Sequence, residues 1–307
     1  MKLWFLSHRT KGHHTSKYLK QELITMYDCG LILEGGGMRG IFTAGVLDFF
    51  LDKDLMFSDV YGVSAGSCHA CSYLSRQRHR SFSVSVDYLD DKRYCSLDSL
   101  RKTGDLFGAD MLYRLIPDEL YPFDYDTYNQ FQGNFYAVLT DIETGRAVYQ
   151  PIKDLHRDII YVRASSSLPL VSRIVEIDGH KYLDGGLADS IPVIHSVRTG
   201  QKKNVVILTQ PAEYRKKPNK MLGLIRKKYP DYPALVHAAA VRHHKYNKTL
   251  DYILSEEKAG RLFVIRPEGP VNIGRVEKNR EKLQALYMRG YNTANRHYEE
   301  LMTFLDK

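Results

Sequence analysis

From Cys29 onward the apolar positions alternate between short unbroken runs and longer stretches at helical spacing. Leu31-Ile32-Leu33 predicts a strand over 30–34, and Phe42, Val46, Phe49 and Phe50 place one face of a helix over about 40–52. A second strand, 60–63, leads into a helix over about 65–77. Phe135 to Asp141 is a strand by residue type, Tyr149 starts a shorter extended piece, and 152–164 reads as a helix. Strands 174–177 and 180–183 flank Asp178-Gly179, a strong hairpin signal. Pro192 suits the start of a short helix, and 205–209 is a buried strand bounded by Gly200 and Pro211. Beyond it a basic linker with Pro218 and Pro230 precedes a long helix over 233–258, a strand at 262–266 and a final helix over 276–305. Residues 81–130 show no clean period. Pro117, Pro122 and the tyrosines 113, 121, 125 and 128 break them up, and they read as a cap or entrance over a site.

This order gives an α/β chain with three parts: an extension over 1–26 that reads as poorly packed or as sequence upstream of a start at Met26, a main domain over 27–212, and a C-terminal, mostly helical region over 213–307. The boundary near 212 is soft, because strand 262–266 can still join the main sheet.

Charge sharpens that division. Of the net +8, residues 1–26 carry +4 and 213–230 carry +6, so the remainder sums to −2. The 213–230 patch suits peripheral contact with an anionic membrane, or is simply a solvated lysine-rich loop. No recognition-helix, zinc-finger or RNP-type signature supports nucleic acid. No run reaches the roughly 18 apolar residues of a membrane span, and Leu3–Leu6 is too short for a secretory core, so a cytoplasmic location is expected. The four cysteines (29, 68, 71 and 95) read as reduced thiols, with Cys68 and Cys71 as small core residues; no metal or cofactor is expected.

The chemistry concentrates between Gly30 and Gly66. Gly35, Gly37 and Gly40 match a dinucleotide fingerprint, but the end of the next strand holds Gly62-Val63-Ser64-Ala65-Gly66 where a ribose-binding acid belongs, and no Walker lysine follows Gly40. Small residues on both sides of Ser64 let the chain turn sharply and expose its hydroxyl at a helix N-terminus. The neighbouring glycine loop supplies N–H donors for an oxyanion, each worth ~3 kcal/mol at comparable sites. Serine needs a base. His195, His237 and His297 follow Ser64 but carry no signature, whereas Asp184 ends a strand beside Gly185 and Gly186.

G-G-G-x-R-G, then G-x-S-x-G, then D-G-G in this order and spacing resembles the patatin-like phospholipase family of serine acyl hydrolases. The resemblance covers about 29–211, and the C-terminal portion looks like the segment attached to a bacterial subfamily. It implies a three-layer α/β/α sandwich with a mainly parallel central sheet, a C-terminal helical appendage, and a site at the carboxyl ends of adjacent strands. By the same match Ser64 is the nucleophile and Asp184 the base of a dyad without histidine. The Gly35-Gly36-Gly37 amides form the oxyanion hole, Arg39 braces the glycine loop, and Gly40, Gly62, Gly66, Gly185 and Gly186 support the turns. Ala164-Ser165 and Pro169 fit the family's small-residue and proline stretch, while Ser190 stands where members often carry Asn. The implied activity is hydrolysis of lipid acyl esters. A transacylase on the same dyad, or a non-catalytic module binding lipid surfaces or proteins, are the alternatives.

Overall fold

The structure is a computed structural model and describes residues 26–307. The extension expected over 1–26 thus lies outside the described residues, apart from Met26, which opens the first strand. The first half of the chain forms β1 (Met26–Leu33), α1 (Ile41–Asp52), β2 (Met56–Val63), α2 (Ala65–Leu74), α3 (Arg80–Val86), α4 (Leu97–Thr103) and α5 (Tyr125–Asn129). Next come β3 (Asn134–Asp141), β4 (Ala147–Pro151), α6 (Leu155–Ser165), β5 (Val175–Ile177), β6 (His180–Asp184), α7 (Val193–Arg198) and β7 (Asn204–Ile207). The last part gives α8 (Leu222–Lys228), α9 (Pro233–Lys258), β8 (Leu262–Ile265), α10 (Arg280–Arg296) and α11 (Tyr298–Asp306).

Eight strands form one sheet in the order β5-β6-β3-β2-β1-β7-β8, with β4 also on β3. β3, β2, β1, β7 and β8 run parallel to their neighbours in that order, and β4, β5 and β6 pair antiparallel. Alternation along the strands sets the layers. Leu31 and Leu33 of β1 join a cluster with Phe42 of α1 and Leu286 of α10, while Ile32 joins Val206, Tyr246 and Leu250 on the other face. A strand buried on both faces needs apolar residues at successive positions, hence the unbroken Leu-Ile-Leu run. The result is an α/β sheet flanked by helices on both faces, the architecture expected from the sequence.

The C-terminal segment is built into this core. β8 extends the sheet from β7, and α10 lies directly on α1. A Cβ at Gly45 would stand 2.0 Å from the Tyr287 carbonyl oxygen, and one at Gly290 2.0 Å from that of Phe42, so only glycine permits this backbone contact. Some boundaries differ from those predicted. The helix over 276–305 is two helices divided at His297. The helix expected from 152 starts at Leu155, because Asp154 caps it by accepting the N–H groups of His156 and Arg157. The helix expected to 77 ends at Leu74.

The edges of β3 place the site. Tyr136, Ala137 and Val138 pair with β2 on one edge and β4 on the other. Leu139 and Thr140 keep β4 but exchange β2 for β6. β6 therefore takes up the edge that β2 leaves at Val63, and its last residue, Asp184, arrives where the chain turns at Ser64.

Candidate active site

Ser64 follows β2 and precedes α2 with φ 55° and ψ −123°. This left-handed backbone costs a non-glycine residue roughly 1–3 kcal/mol and persists only where surroundings impose it. The surroundings are Ser165 and Ser67. The fully buried Ser165 hydroxyl accepts the Ser64 N–H at 2.9 Å and donates to the Val138 carbonyl at 2.6 Å. The Ser67 hydroxyl donates to the Ser64 carbonyl at 2.6 Å. Close packing explains the glycines around the elbow and around Asp184. A Cβ would stand 2.5 Å from Ser67 Cα at Gly62, 2.5 Å from the Leu33 carbonyl oxygen at Gly66, and 1.9 Å from that of Val138 at Gly185.

Asp184 is buried at the end of β6. Its Oδ1 accepts the Gly186 N–H at 2.8 Å, while Oδ2 has no hydrogen-bond partner among the described residues. Its main chain is pinned by donation to the Ser167 carbonyl at 2.7 Å and by acceptance from the Thr140 hydroxyl at 2.8 Å. Ser190 donates to the Gly186 carbonyl at 2.7 Å and so ties down the Asp184 loop.

The glycine loop leaves β1 at Glu34. Buried Glu34 fastens it to the end of β7 and to α9, accepting from the Thr209 N–H at 2.7 Å, the Thr209 hydroxyl at 3.0 Å and the Tyr246 hydroxyl at 2.6 Å. Gly37 takes φ +58°, and a Cβ there would lie 2.6 Å from the Arg275 carbonyl oxygen, which accepts the Met38 N–H at 3.0 Å. Gly40 abuts Ala65 and His69. Arg39, expected to brace this loop, instead faces a recess, and its buried Nε has no partner among the described residues. Burial pulls the Arg39 pKa down, with Glu34 opposing the shift.

Two hollows meet at Ser64. One is a cleft of about 1250 Å³, open solvent at its mouth included, lined by apolar side chains such as Met38, Ile41, Leu112, Ile116, Phe123 and Val162. Much of its wall comes from 80–125, including a π-helical turn over Met111–Leu120, so the irregular region does border the site. The other is a narrow recess of about 380 Å³, open solvent at its mouth included, shared by Gly35, Gly36, Gly37, Ser64 and Asp184. Arg39, Lys216, Arg242 and Arg275 also line it. Burial lowers the pKa of Arg242, with Asp184 opposing, and lowers Lys216 to about 7, with Arg242 adding to the shift.

The structure thus brings Ser64, Asp184 and the three loop glycines to one recess, with no histidine among its lining residues. His195 stacks on Tyr149 at 3.4 Å between ring centroids, away from it. His69 borders the cleft, but burial lowers its pKa to about 4 and keeps it neutral. Cys71 is buried and Cys68 borders the cleft, and burial raises both thiols. Among the described residues no cluster of His, Cys, Asp and Glu is placed to hold a metal. The role of Ser165, the Glu34 brace and the three cations of the C-terminal segment had no local signal in the sequence.

The model of the patatin-like phospholipase family matches residues 31–196, and that of a domain of unknown function (DUF6363) matches 232–306. The uncharacterized protein YjjU of Escherichia coli K12 is 30% identical over 258 residues, covering 79% of this chain and 69% of that protein. The probable lipid hydrolase 463L of Invertebrate iridescent virus 6 is 22% identical, over 57% of this chain and 65% of its own length. Lysophospholipase NTE1 of Lodderomyces elongisporus is 26% identical over 63% of this chain but only 13% of its own length. The crystal structure of VipD from Legionella pneumophila aligns with a TM-score of 0.42 and 13% identity, over 91% of this chain and 66% of that one. The first of these matches takes in the glycine loop, the Ser64 elbow and Asp184 across more than half of the sequence, and the chain belongs to the patatin-like phospholipase family.

Proposed function

We propose that the protein hydrolyses carboxylic esters of lipids through an acyl-Ser64 intermediate on a Ser64–Asp184 dyad. One observation carries the reading: a serine on a left-handed elbow shares a recess with a buried carboxylate whose Oδ2 is unpartnered, and an apolar cleft opens from the same serine. Ser64 Oγ attacks the ester carbonyl carbon as its proton passes to Asp184 Oδ2. The N–H groups of Gly35, Gly36 and Gly37, with that of Ala65 at the start of α2, meet the oxyanion. Collapse breaks the bond to the alcohol oxygen, which leaves with the proton held by Asp184. Water then attacks acyl-Ser64, gives its proton to Asp184, and releases the acid as Ser64 recovers a proton. The apolar cleft suits a fatty acyl chain, and lipid hydrolase and lysophospholipase are what two relatives are named.

Approach to a lipid surface is assigned to α8 and its flank. Met221 and Leu224 are exposed beside Arg226, Lys227 and Lys228, the pairing of apolar and cationic side chains that favours an anionic interface. Among the described residues no helix is long and apolar enough to cross a membrane.

Ser64→Ala and Asp184→Asn are the direct test. Each is expected to lower turnover of a p-nitrophenyl ester by about 1,000-fold or more with the fold retained by circular dichroism. Near-wild-type turnover in either variant rejects the dyad. Acyl transfer to an added alcohol in preference to water makes the same dyad a transacylase.

A further inference from the structure

The apolar cleft that opens from Ser64 follows one face of α2. Ser64, Cys68, Cys71 and Ser72 stand on successive turns of that face, and all four border the cleft. Beyond Ser72 the wall includes Arg80, the first residue of α3. Its Nη1 donates to the Ser72 hydroxyl at 3.4 Å and its Nη2 to the Tyr121 carbonyl at 3.0 Å. The guanidinium carbon lies 5.0 Å from the Phe123 ring centroid and 5.6 Å from that of Tyr121.

Arg80 is only 7% exposed, and its Nε has no hydrogen-bond partner among the described residues. Arg76 and Arg78 pair with Asp54 and Asp52, whereas no carboxylate of the described residues pairs with Arg80. Cys71, Tyr88 and Tyr125 are near enough to act on its charge, but burial raises all three and they stay neutral at pH 7. The two rings and the carbonyl offset part of the cost of burying a cation, yet supply no counter-charge. A guanidinium carries five N–H donors, and a carboxylate matches it in both charge and geometry. Eight residues of α2 separate Ser64 from Ser72, about 12 Å along the helix axis. An extended chain advances about 1.2 Å per bond, so about ten bonds cover that distance.

We infer that Arg80 makes the deep end of the cleft a carboxylate subsite, suited to an acyl chain whose far end carries a carboxylate about ten bonds from the ester carbonyl. A free fatty acid entering carboxylate first offers the same chemistry. The placing relative to the ester rests on Ser64 being the nucleophile; carboxylate binding at Arg80 does not. A chain of that length ending in a methyl group leaves the guanidinium without a counter-charge in an apolar wall, and so gains less from the same cleft.

The test has a binding arm and a kinetic arm. Calorimetry follows monomethyl decanedioate and decanoate on Ser64→Ala, which removes turnover, and on the same chain carrying Arg80→Gln or Arg80→Lys. Kinetics with Ser64 intact compares the p-nitrophenyl monoester of decanedioic acid with p-nitrophenyl decanoate. Arg80→Gln is expected to weaken binding of monomethyl decanedioate by about tenfold or more, with Arg80→Lys between the two. The wild type is expected to favour the carboxylate-ended ester by about tenfold or more in kcat/KM, and Arg80→Gln to reverse that order. Arg80→Lys keeps the charge beside the two rings and serves where Arg80→Gln does not fold. Arg80-dependent binding of decanoate without a preference between the esters leaves the subsite standing and makes its ligand a free fatty acid. Binding that the Arg80 variants leave unchanged, with both esters slowed alike, marks a structural tie between α3 and Tyr121 and overturns the inference. Arg80-dependent binding with neither ester cleaved sinks the hydrolase reading and leaves the subsite in place.

Discussion

Ser165 fixes the Ser64 elbow from outside the proposed dyad, and Ser165→Ala measures how much that costs to lose. The substitution strands the Ser64 N–H and the Val138 carbonyl, which the hydroxyl bridges at 2.9 and 2.6 Å in a fully buried position. An unsatisfied buried group costs about 1–3 kcal/mol, so two of them cost about 2–5 kcal/mol if nothing moves. The elbow has a reason to move, since the positive φ of Ser64 stores roughly 1–3 kcal/mol that this anchor helps to maintain. Relaxation limits the stability loss but displaces the Ser64 hydroxyl, and a shift of about 1 Å lowers turnover roughly 100-fold. The two outcomes trade against each other. Thermal unfolding and p-nitrophenyl ester kinetics on the same preparation follow both. At about 2–3 °C per kcal/mol for a chain of this size, the expected result is a Tm lower by about 5–10 °C, a kcat lower by at least about tenfold, or both in part. A variant with the wild-type Tm and the wild-type kcat would refute the role of Ser165.

Three further outcomes follow from other contacts. Glu34→Gln sets an amide NH2 against groups that now donate to Glu34, namely Tyr246 and Thr209; a loss of about 1–3 kcal/mol in urea unfolding is expected, and an unchanged midpoint contradicts the brace. Lys216, faced by Arg39, Arg242, Arg275 and Glu34 and by the rings of Tyr214 and Tyr246, is lowered by burial from 10.5 to about 7. Below about 7 both folded and unfolded chains hold its proton; between about 7 and 10.5 only the unfolded chain does, so this group's contribution to stability rises with pH across that window. Urea unfolding of the wild type and of Lys216→Met is therefore expected to differ in pH dependence, the variant losing the rise between about pH 7 and pH 9, and identical profiles contradict a buried Lys216 ammonium. Arg226→Glu, Lys227→Glu and Lys228→Glu combined are expected to abolish sedimentation with phosphatidylserine-containing vesicles while turnover of a water-soluble ester persists; undiminished sedimentation rejects α8 as the contact.

Much of the candidate site was legible in the sequence because its signals are local. Gly37 is required by a positive φ, and Ser64 stands between residues small enough for the turn that the structure shows. Asp178-Gly179 predicted its hairpin because both residues take positive φ, as a two-residue turn of that kind demands. Asp184 stood out beside two glycines, although its arrival at Ser64 depends on β6 replacing β2 along β3, a fact of pairing that no local pattern encodes. The same limit hid what Ser165, noted only as part of a small-residue stretch, does there: its partners lie 101 and 27 residues away in sequence. Lys216 was one of seven cations between 213 and 228, and only packing against Tyr246 turns it inward while Arg226 and its neighbours face out. Arg242 and Arg275 carried no signal at all, since their direction is set by where α9 and the segment after β8 dock.

The proposed chemistry turns on the activation of Ser64 by Asp184. Labelling with a fluorophosphonate probe, followed by peptide mapping, tests it on the intact chain. Stoichiometric labelling confined to the peptide that holds Ser64, and slowed by at least about 100-fold in Asp184→Asn with the fold intact, is the predicted result. Labelling at another serine, or at an undiminished rate without the Asp184 carboxylate, would contradict the account.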